Sequence, residues 1–186
     1  MNSFKLIIGL LLGFTALSSC ENDLKDVEKI SSKRLAVPVD KSYGVTVIYS
    51  DSAKVKAKLI TPELHHFRTQ NPYYEMPKGV TIIFLDEKQQ ESSRVVSDYA
   101  IRRENERLVE LRKNVVVTNQ KGETFKSDEL IWEEGRKRFY SNKLVNITKP
   151  DGTNIYGTAF ESDESFNNPI IQGATGNLAT GDKLTP

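Results

Sequence analysis

The sequence predicts an all-β fold, two antiparallel sheets packed as a sandwich, on three observations. From Gly44 onward, short runs rich in Val, Ile, Thr, Tyr and Phe alternate with clusters of Gly, Asp, Asn and Pro, which is the texture of strands and turns. A segment recurs at a spacing of thirty residues, as happens when one supersecondary unit is used repeatedly. A competing helical period appears only at residues 102–113, through Ile101, Leu108 and Leu111, and in a short stretch at 24–30, where Leu24, Val27 and Ile30 fall three apart. At 186 residues, 38% hydrophobic and 27% charged, the chain suits a single domain with a real apolar interior.

Residues 1–19, MNSFKLIIGLLLGFTALSS, carry one charge at Lys5, then a low-polarity run from Leu6 to Leu17, then small hydroxyl residues. This is the pattern of a secretory signal peptide. The run would cover about 18 Å as a helix against a hydrocarbon core of about 30 Å, so a membrane span is disfavoured. Leu17-Ser18-Ser19-Cys20 resembles the lipobox of bacterial lipoproteins, in which the cysteine receives diacylglycerol and becomes the new N-terminus. Cys20 is the single cysteine, so no disulfide framework is available. Two or three acyl chains there would hold the protein on a bilayer, where one binds only reversibly.

Cleavage before Cys20 removes one of 26 basic residues and leaves 25 against 25 acidic ones, a balance that implies no nucleic acid or other polyanion as partner. Residues 20–40 are polar and charged with little periodicity, the composition of a tether. Residues 41–173 form the expected domain. Residues 174–186 are glycine-containing and polar, and are expected to be a disordered tail.

Within the domain the expected strands are residues 45–49, 53–60, 80–85, 92–101, 108–111, 114–118, 123–132, 138–148 and 153–160. Residues 62–79 contain three prolines and Tyr73-Tyr74, which argues for a long connection or a strand broken by turns. The repeat is explicit in Lys113-Asn114-Val115-Val116-Val117-Thr118 with Gly122, which returns as Lys143-Leu144-Val145-Asn146-Ile147-Thr148 with Gly152. Ser97-Asp98 and Ile101 return in the same way as Ser127-Asp128 and Ile131. Because Asn146 must face water or a turn, Val145 and Ile147 face inward, and by the repeat so do Val115 and Val117. Val80, Ile82 and Phe84 share one face of their strand, yet Ile83 and Leu85 on the other face are apolar too. Such strands fit either sheets folded over an interior too large for their own side chains, or two sheets with ordinary filled contents.

Chemistry-bearing motifs are sparse. His65-His66 is the only histidine pair; adjacent strand residues point opposite ways, so a surface turn is expected and no metal. Glu133-Glu134 and Asp163-Glu164 lie in polar, turn-like stretches with nothing evident to desolvate them, so they read as solvated charge. Arg102, Arg103, Arg107, Arg112, Lys113, Arg136, Lys137 and Arg138 are interleaved with Glu104, Glu106, Glu110, Glu133 and Glu134, a mixed-charge rim more than a phosphate patch. No nucleophile elbow, phosphate loop or Ser/His/Asp set assembles, so the chain reads as non-enzymatic and without a cofactor.

Taken in order, Tyr74-Glu75-Met76-Pro77-Lys78-Gly79 before the strand at 80–84, Ser97-Asp98-Tyr99-Ala100, Asn114-Val115-Val116-Val117, residues 122–132 (GETFKSDELIW) and residues 157–163 (GTAFESD) resemble the LptC family of the lipopolysaccharide-export machinery, within the OstA/LptA-like jellyroll superfamily and in its Bacteroidetes-type lipoprotein form. The resemblance implies a twisted, open, V-shaped β-jellyroll that takes lipopolysaccharide from the permease and ATPase subunits of an inner-membrane ABC transporter. It would pass the lipid by edge-strand pairing to a periplasmic bridge protein of the same fold. The implied acyl-binding groove is lined by Val80, Ile82, Phe84, Val109, Leu111, Val115, Val117, Val145 and Ile147. The strands at 45–49 and 155–160 are the expected free edges. Many relatives keep an uncleaved helix in the inner membrane; with lipid on Cys20 either membrane can hold the anchor, and the family role requires the inner one. The alternative is a structural or surface-display β-sandwich lipoprotein with a closed core and no lipid cargo. A hydrolase of envelope glycans would need a desolvated carboxylate or nucleophile that the sequence does not offer.

Overall fold

Alternation of side chains sets the strands. Val80–Leu85 buries every second residue and Val145–Thr148 does the same, because a strand turns successive side chains to opposite faces. In the computed structural model, residues 39–177 are described, and they form fourteen strands with no helix among them. In chain order these are β1 Val39–Asp51, β2 Lys54–Phe67, β3 Tyr73–Met76, β4 Val80–Leu85, β5 Glu91–Ser97, β6 Tyr99–Arg103 and β7 Leu108–Asn119, then β8 Thr124–Glu133, β9 Arg138–Ser141, β10 Val145–Thr148, β11 Asn154–Gly157, β12 Ala159–Asp163, β13 Ile170–Gln172 and β14 Thr175–Asn177. Every pairing is antiparallel. The fold is all-β and jellyroll-like.

Long strands each serve two layers. β2 pairs with β4 along residues 57–60 and with β3 along 65–67. β7 pairs with β6 along 108–112 and with β5 along 116–119, and β8 pairs with β10 along 124–127 and with β9 along 131–133. One layer therefore runs β1-β2-β4-β5-β7-β8-β10-β11-β14 and the other β1-β2-β3-β6-β7-β8-β9-β12-β13, folded face to face. Phe84 of the first layer meets Trp132 and Phe139 of the second edge-on, at 5.0 and 5.5 Å between ring centroids.

A row of corners marks the crease. Gly44 and Gly79 have φ of +60° and +85°, and β7 turns the corner through Lys113 and Asn114 at φ 64° and 50°, where its register with β8 shifts. Asp98 N–H donates to the Lys113 carbonyl, and the Asn114 amide donates to the Asp98 carboxylate at 2.6 Å.

The structure corrects three expectations and decides two that stood open. Residues 62–79 are a strand broken by turns, not a long connection, and β2 continues through Pro62 because that residue sits at the crease opposite Gly44, where the ladder is interrupted and no N–H is missed. The Thr61 hydroxyl, 1% exposed, seals the spot by donating to the Gly79 carbonyl at 2.8 Å. His65-His66 lies on β2 and not in a turn. Residues 155–160 are not a free edge: β11 is covered by β14 and β12 by β13. Thr175–Asn177, expected within the disordered tail, is β14. Residues 102–113 form a strand, a turn and a strand, not a helix. β1 pairs only with β2, so the expected N-terminal edge is free among the described residues, and it begins at Val39. Cys20, the signal peptide and most of the tether lie outside the described residues.

Candidate functional site

Cross-strand register builds the site. In the first layer Val47, Leu59, Ile82, Val95 and Val117 fall in one row, and Tyr49, Ala57 and Phe84 in the next. In the second layer Tyr74, Arg102, Val109, Trp132 and Phe139 form the facing row, with Met76 in the neighbouring row. Where β1, β2 and β4 face β3, β6 and β8, the layers stand apart and leave an apolar pocket of about 320 Å³. Its walls include Val47, Tyr49, Leu59, Leu64, Met76, Ile82 and Trp132. Val47 in its wall, on the free strand β1, remains 45% exposed, so the pocket opens along that edge.

One polar pair lines it. The Arg102 guanidinium donates to both carboxylate oxygens of Glu134, at 2.6 and 3.0 Å, and Glu134 is only 4% exposed. Bonding to Glu134 holds Arg102 above its ordinary pKa. Near this pair His66 stacks on Tyr74 at 4.3 Å, with its Nε2 3.0 Å from Glu104, whereas His65 lies 2.6 Å from Glu63 and 3.7 Å from Glu75. The two histidines thus have separate partners, as adjacent strand residues must. The described residues contain no cluster of three His, Cys, Asp or Glu side chains suited to a metal ion.

The other half of the interior is filled. Phe125, Phe139, Phe160 and Phe166, each no more than 3% exposed, pack together there. The void beside Val115, Val117 and Val145 measures only about 10 Å³, room for about one water at most.

All nine residues expected to line an acyl groove are buried, at 3% exposure or less. Only Ile82 borders the pocket. Val115, Val117 and Val145 border the small void. Val80, Phe84, Val109, Leu111 and Ile147 are part of the packed core. The pocket walls that sequence reasoning missed, Leu59, Leu64, Met76 and Trp132, lie on strands whose facing partners no local pattern reveals. Glu134 and Glu164, read as solvated charge, are both desolvated. Burial pushes the Glu164 carboxyl above its ordinary pKa, and its Oε1 accepts from Trp132 Nε1 at 3.0 Å.

The rest of the rim is mixed charge, as expected. Arg103 and Arg112 pair with Glu110, Arg138 with Glu133 and Glu161, and Lys137 with Asp51. A family model described as lipopolysaccharide-assembly, LptC-related, matches residues 8–166. No curated protein matches the chain.

Proposed function

The chain belongs to the lipopolysaccharide-assembly, LptC-related family, and from that premise we propose that it carries lipopolysaccharide by receiving acyl chain in the pocket between β1, β2, β4 and β3, β6, β8. As a member it works in lipopolysaccharide transport, in a family that is non-catalytic, periplasmic and associated with the inner membrane. Lipid on Cys20 and the tether of residues 20–40 then keep the domain at that membrane. The ABC transporter delivers the lipid on the side of the free β1 edge, whose unpaired backbone groups suit strand addition. The bridge protein of the same fold receives it at the opposite edges, β13 and β14.

The pocket of about 320 Å³ with its apolar walls carries this reading. At about 30 Å³ per methylene-sized group it takes roughly ten of them. At about 0.8 kcal/mol each, they supply about 8 kcal/mol of gross transfer energy before the chain's lost freedom is subtracted. That suits reversible capture, with discharge driven by the transporter's ATP.

The test places a photo-crosslinking amino acid at Leu59, in the pocket wall, and at solvent-facing Lys126 as control, in the full-length protein with purified lipopolysaccharide. Ultraviolet-dependent adducts are expected at Leu59 and not at Lys126. Equal or absent labelling in folded protein sinks the acyl-binding reading and leaves the closed surface-display lipoprotein, which the packed half of the interior favours.

A further inference from the structure

Three of the four phenylalanines that fill the second half of the interior stand on strands, where register fixes them. Phe166 does not. It comes from the loop between β12 and β13, is fully buried, and lies 4.7 Å from Phe139, 5.6 Å from Phe125 and 6.0 Å from Phe160 between ring centroids. Its φ is +56°, a region bulky residues avoid and in which they persist only when their surroundings hold them.

Polar ties hold it. Asp163 Oδ1 accepts from the N–H groups of Ser165 and Phe166 at 3.0 and 3.1 Å. Asn119 Nδ2 donates to the Phe166 carbonyl at 3.0 Å, and the Ser93 hydroxyl donates to the Glu164 carbonyl at 2.6 Å. The last tie is Trp132 Nε1 to Glu164, and Trp132 is also a wall of the open pocket. Its ring stacks on Phe139 at 5.8 Å, so one side chain touches both halves of the interior.

We propose that the filled half is a second acyl subsite, occupied by this chain's own Phe166 as a resident stand-in, and that Trp132 couples it to the open pocket. The proposal rests on the acyl-binding reading above. An acyl chain pressing on the Trp132 ring moves the indole, loosens Glu164 and frees residues 163–167. Phe166 then leaves its strained conformation, and the space it vacates, beside Phe125, Phe139 and Phe160 and joined through Phe125 and Phe160 to the small void that Val117 lines, takes hydrocarbon of the same apolar character. The lipid path through the domain is thereby made in two stages, and the second opens only when the first is filled.

Amide hydrogen exchange tests this on the full-length protein in nanodiscs of phosphatidylethanolamine and phosphatidylglycerol, with purified lipopolysaccharide as probe. Residues 57–59 and 80–84 are expected to gain protection while residues 163–167 exchange about tenfold faster, as a locally opened segment does. Protection of the pocket strands with unchanged or slower exchange in the loop overturns the second subsite and leaves the pocket standing. No protection at the pocket strands overturns both. In a second arm a photo-crosslinker at Val117 is compared in the wild type, Phe166→Gly and Phe166→Leu. Glycine accepts the positive φ and empties the site, so lipopolysaccharide adducts at Val117 are expected to rise several-fold in that variant alone, with labelling at Leu59 unchanged. Equal Val117 labelling in all three contradicts the proposal.

Discussion

Glu134 sits where its chemistry is most exposed to failure. It is a carboxylate at 4% exposure beside an apolar pocket, and its one strong partner, Arg102, keeps about a third of its side chain in water. Removing one partner of a buried ion pair leaves a charge that cannot be solvated, at a cost of about 3–5 kcal/mol; the partial exposure of Arg102 puts this pair near about 3. Arg102→Met is therefore expected to lower the thermal midpoint by roughly 6–12 °C. The double variant Arg102→Met, Glu134→Leu should recover most of that loss, because no orphan charge remains. Thermal unfolding followed by circular dichroism checks both. If the single variant unfolds with the wild type, the pair is not a structural tie. The same residue shows what the sequence hides. Glu133 and Glu134 are neighbours in a charged turn, and nothing local tells that one pairs with the nearby Arg136 and Arg138 while the other faces an arginine thirty-two positions away.

The creases are where the elements depend most on single positions. A Cβ added to Gly79 would lie 2.6 Å from the Ser97 carbonyl oxygen, a backbone atom that cannot step aside, and φ there is +85°. Gly79→Ala is thus expected to cost about 2 kcal/mol or more, read as a lower urea midpoint at unchanged slope. An unaltered midpoint would mean that the corner between β3 and β4 yields more easily than its geometry implies. Element by element, alternation was the strong signal: Val145, Asn146 and Ile147 declared their faces, and Val115 and Val117, thirty residues earlier, point inward as they do. Pro62 misled because proline signals a break only where its N–H would have been used, and at a crease it is not. β14 was missed since its three residues, Thr-Gly-Asn, carry no apolar pattern and pair only through their backbone with β11. Phe166 was missed for a related reason, as burial from a loop leaves no period to read. The open question of a hollow or a filled interior had no answer in residue types, because both arrangements use the same apolar side chains. The structure divides it, hollow near β1 and filled toward β12.

At the scale of the whole molecule, the question is whether charge or apolar contact drives capture. The chain carries 26 basic and 25 acidic residues, and four arginines of the pocket and its rim are already paired: Arg102 with Glu134, Arg103 and Arg112 with Glu110, Arg138 with Glu133. A surface that read lipid phosphates through free cations would lose orders of magnitude in affinity as salt rises, through release of counterions. Burial of methylenes carries no such penalty, and salts excluded from the protein surface strengthen it slightly. Raising ionic strength from about 0.01 to about 0.1 M shortens the screening length from about 30 to about 10 Å. Over that range lipopolysaccharide capture by the full-length protein is expected to change by less than about threefold, measured by the yield of adducts at Leu59. A steep fall would make head-group phosphates the main source of affinity, would require the Arg102–Glu134 pair to open on binding, and would reduce the pocket to a secondary contact. A flat response leaves the apolar wall around Leu59, Met76 and Trp132 as the source of affinity.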